Sequence, residues 1–151
     1  MSAYNRRLVA FVERYKLETG RTEVSSREVA RWLIAQGDWK QHPQEPERQC
    51  ARDISRALGE EYVTDPQGRR VRSQHVAFVK RGNTSLPLWA DMVTGTREHF
   101  ALGVQQRRQR VVGDCKQLKL DVDSYNDNYN ASGEPIPLCL DFTDDVAEAL
   151  L

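Results

Sequence analysis

Cysteine is scarce in this sequence, and long apolar runs are missing from it. The three cysteines, Cys50, Cys115 and Cys139, are odd in number, widely separated and without a C-x-x-C pair. This pattern excludes a disulfide framework and a zinc finger as the basis of the fold. No secretory signal and no membrane-length apolar stretch are visible. We therefore expect a protein of the reducing cytoplasm that has no membrane partner.

The residue patterns of enzymes and cofactor sites are also missing. No Walker loop or glycine-rich dinucleotide loop occurs, and His42, His75 and His99 are not at zinc-ligand spacing from cysteines or carboxylates. Residues 121–127 have the spaced aspartates of a calcium loop, but Tyr125 occupies a ligand position and the turn glycine is absent. We expect no catalytic residues, no metal and no cofactor.

Charge is unevenly distributed, although the formal net charge is zero. No acidic residue lies between Asp65 and Asp91, and no lysine or arginine follows Asp121. A basic front and an acidic rear predict that the front meets a polyanion and that the rear has another task.

Residues 46–60 predict a helix with two chemically different faces. At about 100° per residue, three arginines lie on one side, and a cluster of apolar side chains lies almost opposite. The basic side contains Arg48, Arg52 and Arg56 beside Gln49, and the apolar side contains Cys50, Ala51, Ile54, Ala57 and Leu58. The apolar side is expected to dock the helix on its domain, while the guanidinium groups reach phosphates or base edges. The helix alone is equally compatible with a solvated amphipathic helix, but the basic segment that follows it favours nucleic-acid binding.

Upstream of this helix, the pattern predicts two further helices and a short strand. The predicted elements are a helix over residues 4–18 ended by Gly20, a strand over 21–24, and a helix over 26–36 that opens with a Ser25–Glu28 capping box.

Downstream of the helix over residues 46–60, the sequence is compatible with two alternative hairpins. Residues 62–64 can pair with 70–72, or residues 74–79 can pair with 85–89, and the second is slightly favoured as the main wing.

This order of elements resembles the winged helix-turn-helix DNA-binding family over residues 4–92. The resemblance implies that the third helix enters the major groove and that the wing contacts the DNA backbone or minor groove. The residues on which the implied DNA contacts fall are Arg48, Gln49, Arg52 and Arg56 in the helix, and Arg69, Arg70, Arg72, Lys80 and Arg81 in the wing region. The link between the second and third helices is longer than the usual tight turn of the family.

Residues 96–126 lack proline and predict a long helix with an apolar seam close to a heptad repeat. The seam consists of Val104, Val111, Cys115, Leu118, Val122 and Tyr125. It predicts dimerisation through residues 93–130, and the alternative is a helix packed back on its own domain. The rear half also resembles bacterial proteins to which no activity can be attached. The resemblance lies in the segments Gln106-Arg-Arg, Val-Gly-Asp114, Asp-Val-Asp-Ser-Tyr-Asn-Asp127 and Leu-Asp-Phe-Thr143.

Residues 131–151 form an acidic C-terminal part. From Ile136 to Phe142 every even position is apolar, which predicts a half-buried strand despite Pro135 and Pro137. Thr143 is expected to cap a final short helix. This segment is expected to close over the dimer or the winged domain, or alternatively to bind the surface of a protein partner.

Together these patterns predict an α+β, mainly helical chain in three parts, residues 1–92, 93–130 and 131–151. The predicted function is that of a homodimeric bacterial transcription regulator that binds double-stranded DNA. The alternative is a non-catalytic interaction subunit of a larger nucleoprotein or protein assembly.

Overall fold

The computed structural model describes all 151 residues as five helices and two separate two-stranded antiparallel sheets, which confirms a mainly helical α+β fold. The elements are α1 (Ala3–Thr19), α2 (Ser26–Ala35), α3 (Glu45–Gly59), β1 (Tyr62–Thr64), β2 (Arg70–Arg72), β3 (Gln74–Arg81), β4 (Thr84–Asp91), α4 (Arg97–Asn128) and α5 (Thr143–Ala149). The chain forms two compact units, Met1–Asp53 and Ile54–Leu151, whose boundary lies within α3. The predicted division at residues 92 and 130 stays a prediction. None of the helices combines the length and apolar character needed to span a bilayer.

In the first unit, α1 and α2 pack around a small core of Tyr15, Val29 and Leu33. The end of α1 is set by Gly20, which adopts a φ of 69° and donates its backbone N–H to the Lys16 carbonyl at 2.8 Å. A left-handed residue at this position is the ordinary helix terminator, and glycine adopts that conformation without strain. The predicted stop at Gly20 is therefore confirmed.

The predicted strand over residues 21–24 does not form. No second strand lies beside it to satisfy its backbone groups, and Val24 instead packs against the core of the first unit. Ser25 precedes α2 as expected, but its side chain makes no capping hydrogen bond. The Glu28 carboxylate, which the predicted capping box requires, accepts from Arg21 at 3.0 Å instead.

The expectation that the apolar face of α3 docks on the domain is wrong. Cys50 and Ala51 are exposed, Ile54 is 55% exposed, and only Leu58 is half-buried at the end of the helix. Alanine and cysteine remove little apolar area from water, so Ile54 alone provides a weak driving force for burial. The apolar face of α3 is therefore open to solvent.

Both of the hairpins that the sequence offered as alternatives form, and both lie in the second unit. β1 pairs with β2 in the register Tyr62↔Arg72, and β3 pairs with β4 from Gln74↔Asp91 to Arg81↔Thr84. The buried Ser73 joins the hairpins, because its backbone N–H donates to the Glu61 carbonyl and its carbonyl accepts from the Met92 N–H.

The first turns of α4 cover the free edge of β3. The Gln106 side chain accepts from the Phe78 backbone N–H at 2.8 Å and donates to the Phe78 carbonyl at 2.9 Å. Phe78 lies opposite Pro87 in β4, which has no N–H to pair. One glutamine therefore satisfies both backbone groups of an edge residue that would otherwise be open to pairing with another chain.

Close approach of α4 to β3 depends on Gly103. We expect Gly103→Ala to destabilise the protein relative to Gly113→Ala, because a Cβ at Gly103 would lie 2.9 Å from the Val76 carbonyl oxygen, whereas a Cβ at Gly113 meets nothing within 4 Å. Both substitutions gain about 1 kcal/mol of helix propensity. The difference between their free energies of unfolding in urea, expected at about 1–3 kcal/mol, therefore isolates the contact. Equal stability of the two variants would contradict this packing.

The long helix forms close to the predicted bounds, and the Thr96 hydroxyl caps it by accepting from the His99 N–H at 3.1 Å. Its predicted seam is not packed back on the domain. Cys115 and Val122 are half-buried, and the other four members are between 42% and 53% exposed: Tyr125, Leu118, Val104 and Val111. The first half of α4 packs on β3 through Gly103 and Gln106, and the four exposed seam members are uncovered in the protomer.

The predicted strand from Ile136 to Phe142 is wrong. The segment has no strand partner; the Asn126 side chain of α4 instead accepts from the Ile136 N–H at 2.9 Å and donates to its carbonyl at 3.0 Å. Pro135 and Pro137 remove two of the donors that a strand ladder requires.

The predicted capping role of Thr143 is also wrong. Thr143 is the first residue of α5, and the Asp141 carboxylate accepts from both its backbone N–H at 3.1 Å and its hydroxyl at 2.8 Å. These two hydrogen bonds from Thr143 hold the pKa of Asp141 below its ordinary value. Asp141 therefore orders the start of α5.

Candidate nucleic-acid interface

Arg52 on α3 is held in place by two neighbours on its own helix. Its guanidinium forms an ion pair with Glu45 and donates to the Gln49 side chain at 3.0 Å. The hydrogen bond from Arg52 lowers the pKa of Glu45 below its ordinary value. The sequence held a signal for this pair, since Glu45 stands two helical turns before Arg52 and so lies on the same face.

The remaining polar side chains of this face are less constrained. Arg48 donates to the Gln44 side chain at 3.4 Å, and Gln49 also donates to the Asp53 carboxylate at 3.1 Å. Arg56 makes no ion pair. The helix therefore presents one fixed guanidinium and two freer ones along one exposed side.

In the β1–β2 turn, Arg69 is committed to the turn itself. Its Nε donates to the Asp65 carboxylate at 2.6 Å, and its backbone N–H donates to the same carboxylate at 2.8 Å. Gln67 adds a third donor from its backbone at 3.0 Å. The backbone and side-chain hydrogen bonds from Arg69 hold the pKa of Asp65 below its ordinary value. The negative charge of Asp65, the acid at this end of the basic segment, is thereby balanced by the charge of Arg69.

Arg70 and Arg72 on β2 flank the Tyr62 ring of β1. The guanidinium carbon of Arg70 lies 4.2 Å from the ring centroid, and Arg72 Nε donates to the Tyr62 hydroxyl at 3.4 Å. The hydrogen bond from Arg72 and the positive charges of Arg72, Arg70 and Arg107 lower the pKa of Tyr62. Neither Arg70 nor Arg72 has a carboxylate partner. Their charge is therefore available to an anion.

Lys80 and Arg81 lie at the tip of the β3–β4 hairpin. Both side chains are exposed, neither forms an ion pair, and Gly82 makes the tight turn between them and Thr84 with a φ of 63°. The structure thus places the cations of the predicted wing region at two different places, the β1–β2 hairpin and the β3–β4 tip.

Two further arginines, which sequence reasoning did not select, lie beside the β2 cations. Arg107 and Arg110 of α4 line a cavity together with Arg72. In the sequence, only their spacing of three residues, which puts both on one helix face, indicates that they act together.

The chemistry of these surfaces is that of exposed cations beside aromatic and amide side chains. No group of three histidine, cysteine, aspartate or glutamate residues is close enough together to hold a metal ion. Comparison of the chain with protein-family models, with curated proteins and with solved structures finds no match.

Proposed function

We propose that the protein binds double-stranded DNA as a cytoplasmic, non-enzymatic, homodimeric transcription regulator of bacterial type. The observation that carries this proposal is the acid-free segment between Asp65 and Asp91. It contributes to both hairpins, which present four cations without ion pairs: Arg70, Arg72, Lys80 and Arg81. Cations that face phosphates supply most of the affinity of a DNA-binding protein and hold it in register.

In this proposal α3 acts as the reading helix of a winged domain, and the hairpins contact the DNA backbone. Arg52, Arg56 and Gln49 read base edges, and Arg48 holds a phosphate. The ion pair with Glu45 restricts the Arg52 guanidinium before DNA arrives. A side chain that is already restricted loses less conformational entropy on binding.

The homodimer is supported by an apolar row on α4. Four side chains spaced by seven residues are each between 42% and 53% exposed: Val104, Val111, Leu118 and Tyr125. Obligate homodimers bury about 1,000–2,500 Å² per protomer. The exposed members of the α4 seam offer an apolar surface for such an interface.

The first test is the salt dependence of binding to random duplex DNA. We expect log affinity to fall linearly with log salt, at about −0.9 for each phosphate contacted. Replacing Arg70 and Arg72 with glutamine should weaken binding on all sequences alike and make the slope shallower by about two units. Arg21→Gln, which removes an exposed cation paired with Glu28, is the control and should leave the slope unchanged.

The absence of any duplex binding at low salt would overturn the proposal. It would favour the alternative, a non-catalytic interaction subunit of a larger nucleoprotein or protein assembly. One observation supports that alternative, since the acidic C-terminal part exposes Ile136, Phe142, Val146 and Leu150 to solvent. An acidic segment with exposed apolar side chains suits a protein partner better than DNA.

A further inference from the structure

Two adjoining cavities in the second unit share three wall residues, Arg72, His75 and Arg107. One cavity, of about 160 Å³, is also lined by Arg110, and the other, of about 380 Å³, is also lined by Arg70. No acidic residue lines either of them. Four arginines therefore line this space without an acidic residue among them.

The cations are held on regular elements. Arg72 belongs to β2, where its side chain bonds to Tyr62 and its carbonyl lies 2.9 Å from His75 Nε2. Arg107 and Arg110 follow Gly103 on the β3-facing side of α4, where the missing side chain of Gly103 lets the helix approach the strand. The backbone that carries the cations is thus already in place, and only their side chains have to move to bind a ligand.

The electrostatics of the cluster favour an anion. None of its four arginines forms an ion pair, and like charges that converge in one cleft repel one another. At the edge of the cluster, the hydrogen bond from Arg72 and the positive charges of Arg72, Arg70 and Arg107 lower the pKa of Tyr62. Binding of an anion would relieve this repulsion.

We propose that Arg72, Arg107 and Arg110 form a binding site for a phosphate group. Guanidinium forks match phosphate oxygens in bidentate hydrogen bonds, which lysine cannot reproduce. The volume of about 160 Å³ is roughly ten times the 10–15 Å³ that a cavity needs to hold one water, so there is room for a phosphate group. Trp89 and Phe100 line the same cavity and offer apolar surface to an organic group attached to the phosphate.

This site does not depend on the reading role of α3, and its phosphate has two conceivable sources. It belongs either to a small phosphorylated molecule that enters the cavities or to the backbone of a nucleic acid that passes over them. The chemistry of recognition at the three arginines is the same in both cases.

The test uses inorganic pyrophosphate as the probe and the full chain at low ionic strength, with binding measured by calorimetry. We expect one pyrophosphate per chain, and we expect Arg107→Gln with Arg110→Gln to weaken binding roughly tenfold or more, since hydrogen bonds between charged groups are lost. The control is Arg97→Gln with Arg108→Gln, which removes the same charge from α4 at positions that line neither cavity. It should change the affinity less than about twofold.

Competition with duplex DNA then distinguishes the two sources. Displacement of pyrophosphate by duplex assigns the phosphate to a nucleic-acid backbone, and simultaneous binding of both assigns it to a small phosphorylated molecule. Failure of the wild type to bind pyrophosphate, or equal weakening in the two double variants, would overturn the site. Neither result bears on the α3 surface, whose failure would appear as loss of sequence preference on duplex DNA instead.

Discussion

The Val111→Asp, Leu118→Asp double variant is expected to sediment as a monomer under conditions in which the wild type is a dimer. Val104, Val111, Leu118 and Tyr125 are spaced by seven residues on α4, and all four are exposed in the protomer. Substitution there should leave the fold of the protomer unchanged. In a two-fold dimer, each new carboxylate would be buried without a partner, which costs several kcal/mol. Loss of the dimer should in turn reduce affinity for a two-half-site operator by more than about a hundredfold.

Leu120→Asp is the matched control for this variant. Leu120 is also an exposed aliphatic residue of α4, but it lies off the seam. It should leave the sedimentation coefficient and the operator affinity close to those of the wild type. A wild type that sediments as a monomer near 17.4 kDa at roughly tens of micromolar would refute the dimer, as would a double variant that remains dimeric.

The Arg52→Ala, Arg56→Ala double variant should lose its preference for the operator over random duplex DNA. Each bidentate contact between an arginine and a guanine is worth about 1–3 kcal/mol of discrimination, so removal of two should lower the affinity ratio by roughly 10²-fold or more. Both residues lie on the exposed side of α3, so no packing is lost. Competition binding with operator and random duplex measures the ratio directly.

The control for this second prediction is Arg27→Ala with Arg31→Ala. These two arginines of α2 are exposed and make no ion pair, so their removal changes the charge of the chain by the same amount. The operator preference should survive in this control. An unchanged preference in the α3 variant would show that α3 does not read bases.

Local signals predicted the elements whose bounds depend on local chemistry. Gly20 ends α1 because its left-handed conformation lets its N–H satisfy the last turn, and Gly82 makes the turn of the long hairpin. The hydroxyl of Thr96 likewise begins α4 at the expected position. In each case the deciding contacts lie within a few residues along the chain.

Two of the predictions that failed, the strand over Ile136–Phe142 and the docking of α3, depended on distant partners. Alternation from Ile136 to Phe142 indicates two faces but cannot show whether a strand edge is present to pair with, and here the Asn126 side chain takes that place. The apolar face of α3 is equally visible in the sequence, but whether another surface covers it is a tertiary property.

The candidate site was predictable only in part. Arg70 and Arg72 were identified from the basic run, but their association with Arg107 requires α4 to cross back over β3 through Gly103 and Gln106. A pattern over neighbouring residues does not contain that contact. Helical spacing could have predicted the pairing of Arg52 with Glu45, since both residues occupy one face of α3.

Selection of bound sequences from a random duplex library tests the central claim most directly. A homodimer that reads DNA through α3 should enrich an inverted repeat whose half-sites are separated by one helical turn, or by a multiple of it. The enrichment should disappear when Arg52 and Arg56 are replaced with alanine. Recovered duplexes that remain as random as the starting library would contradict sequence-specific DNA binding by this protein.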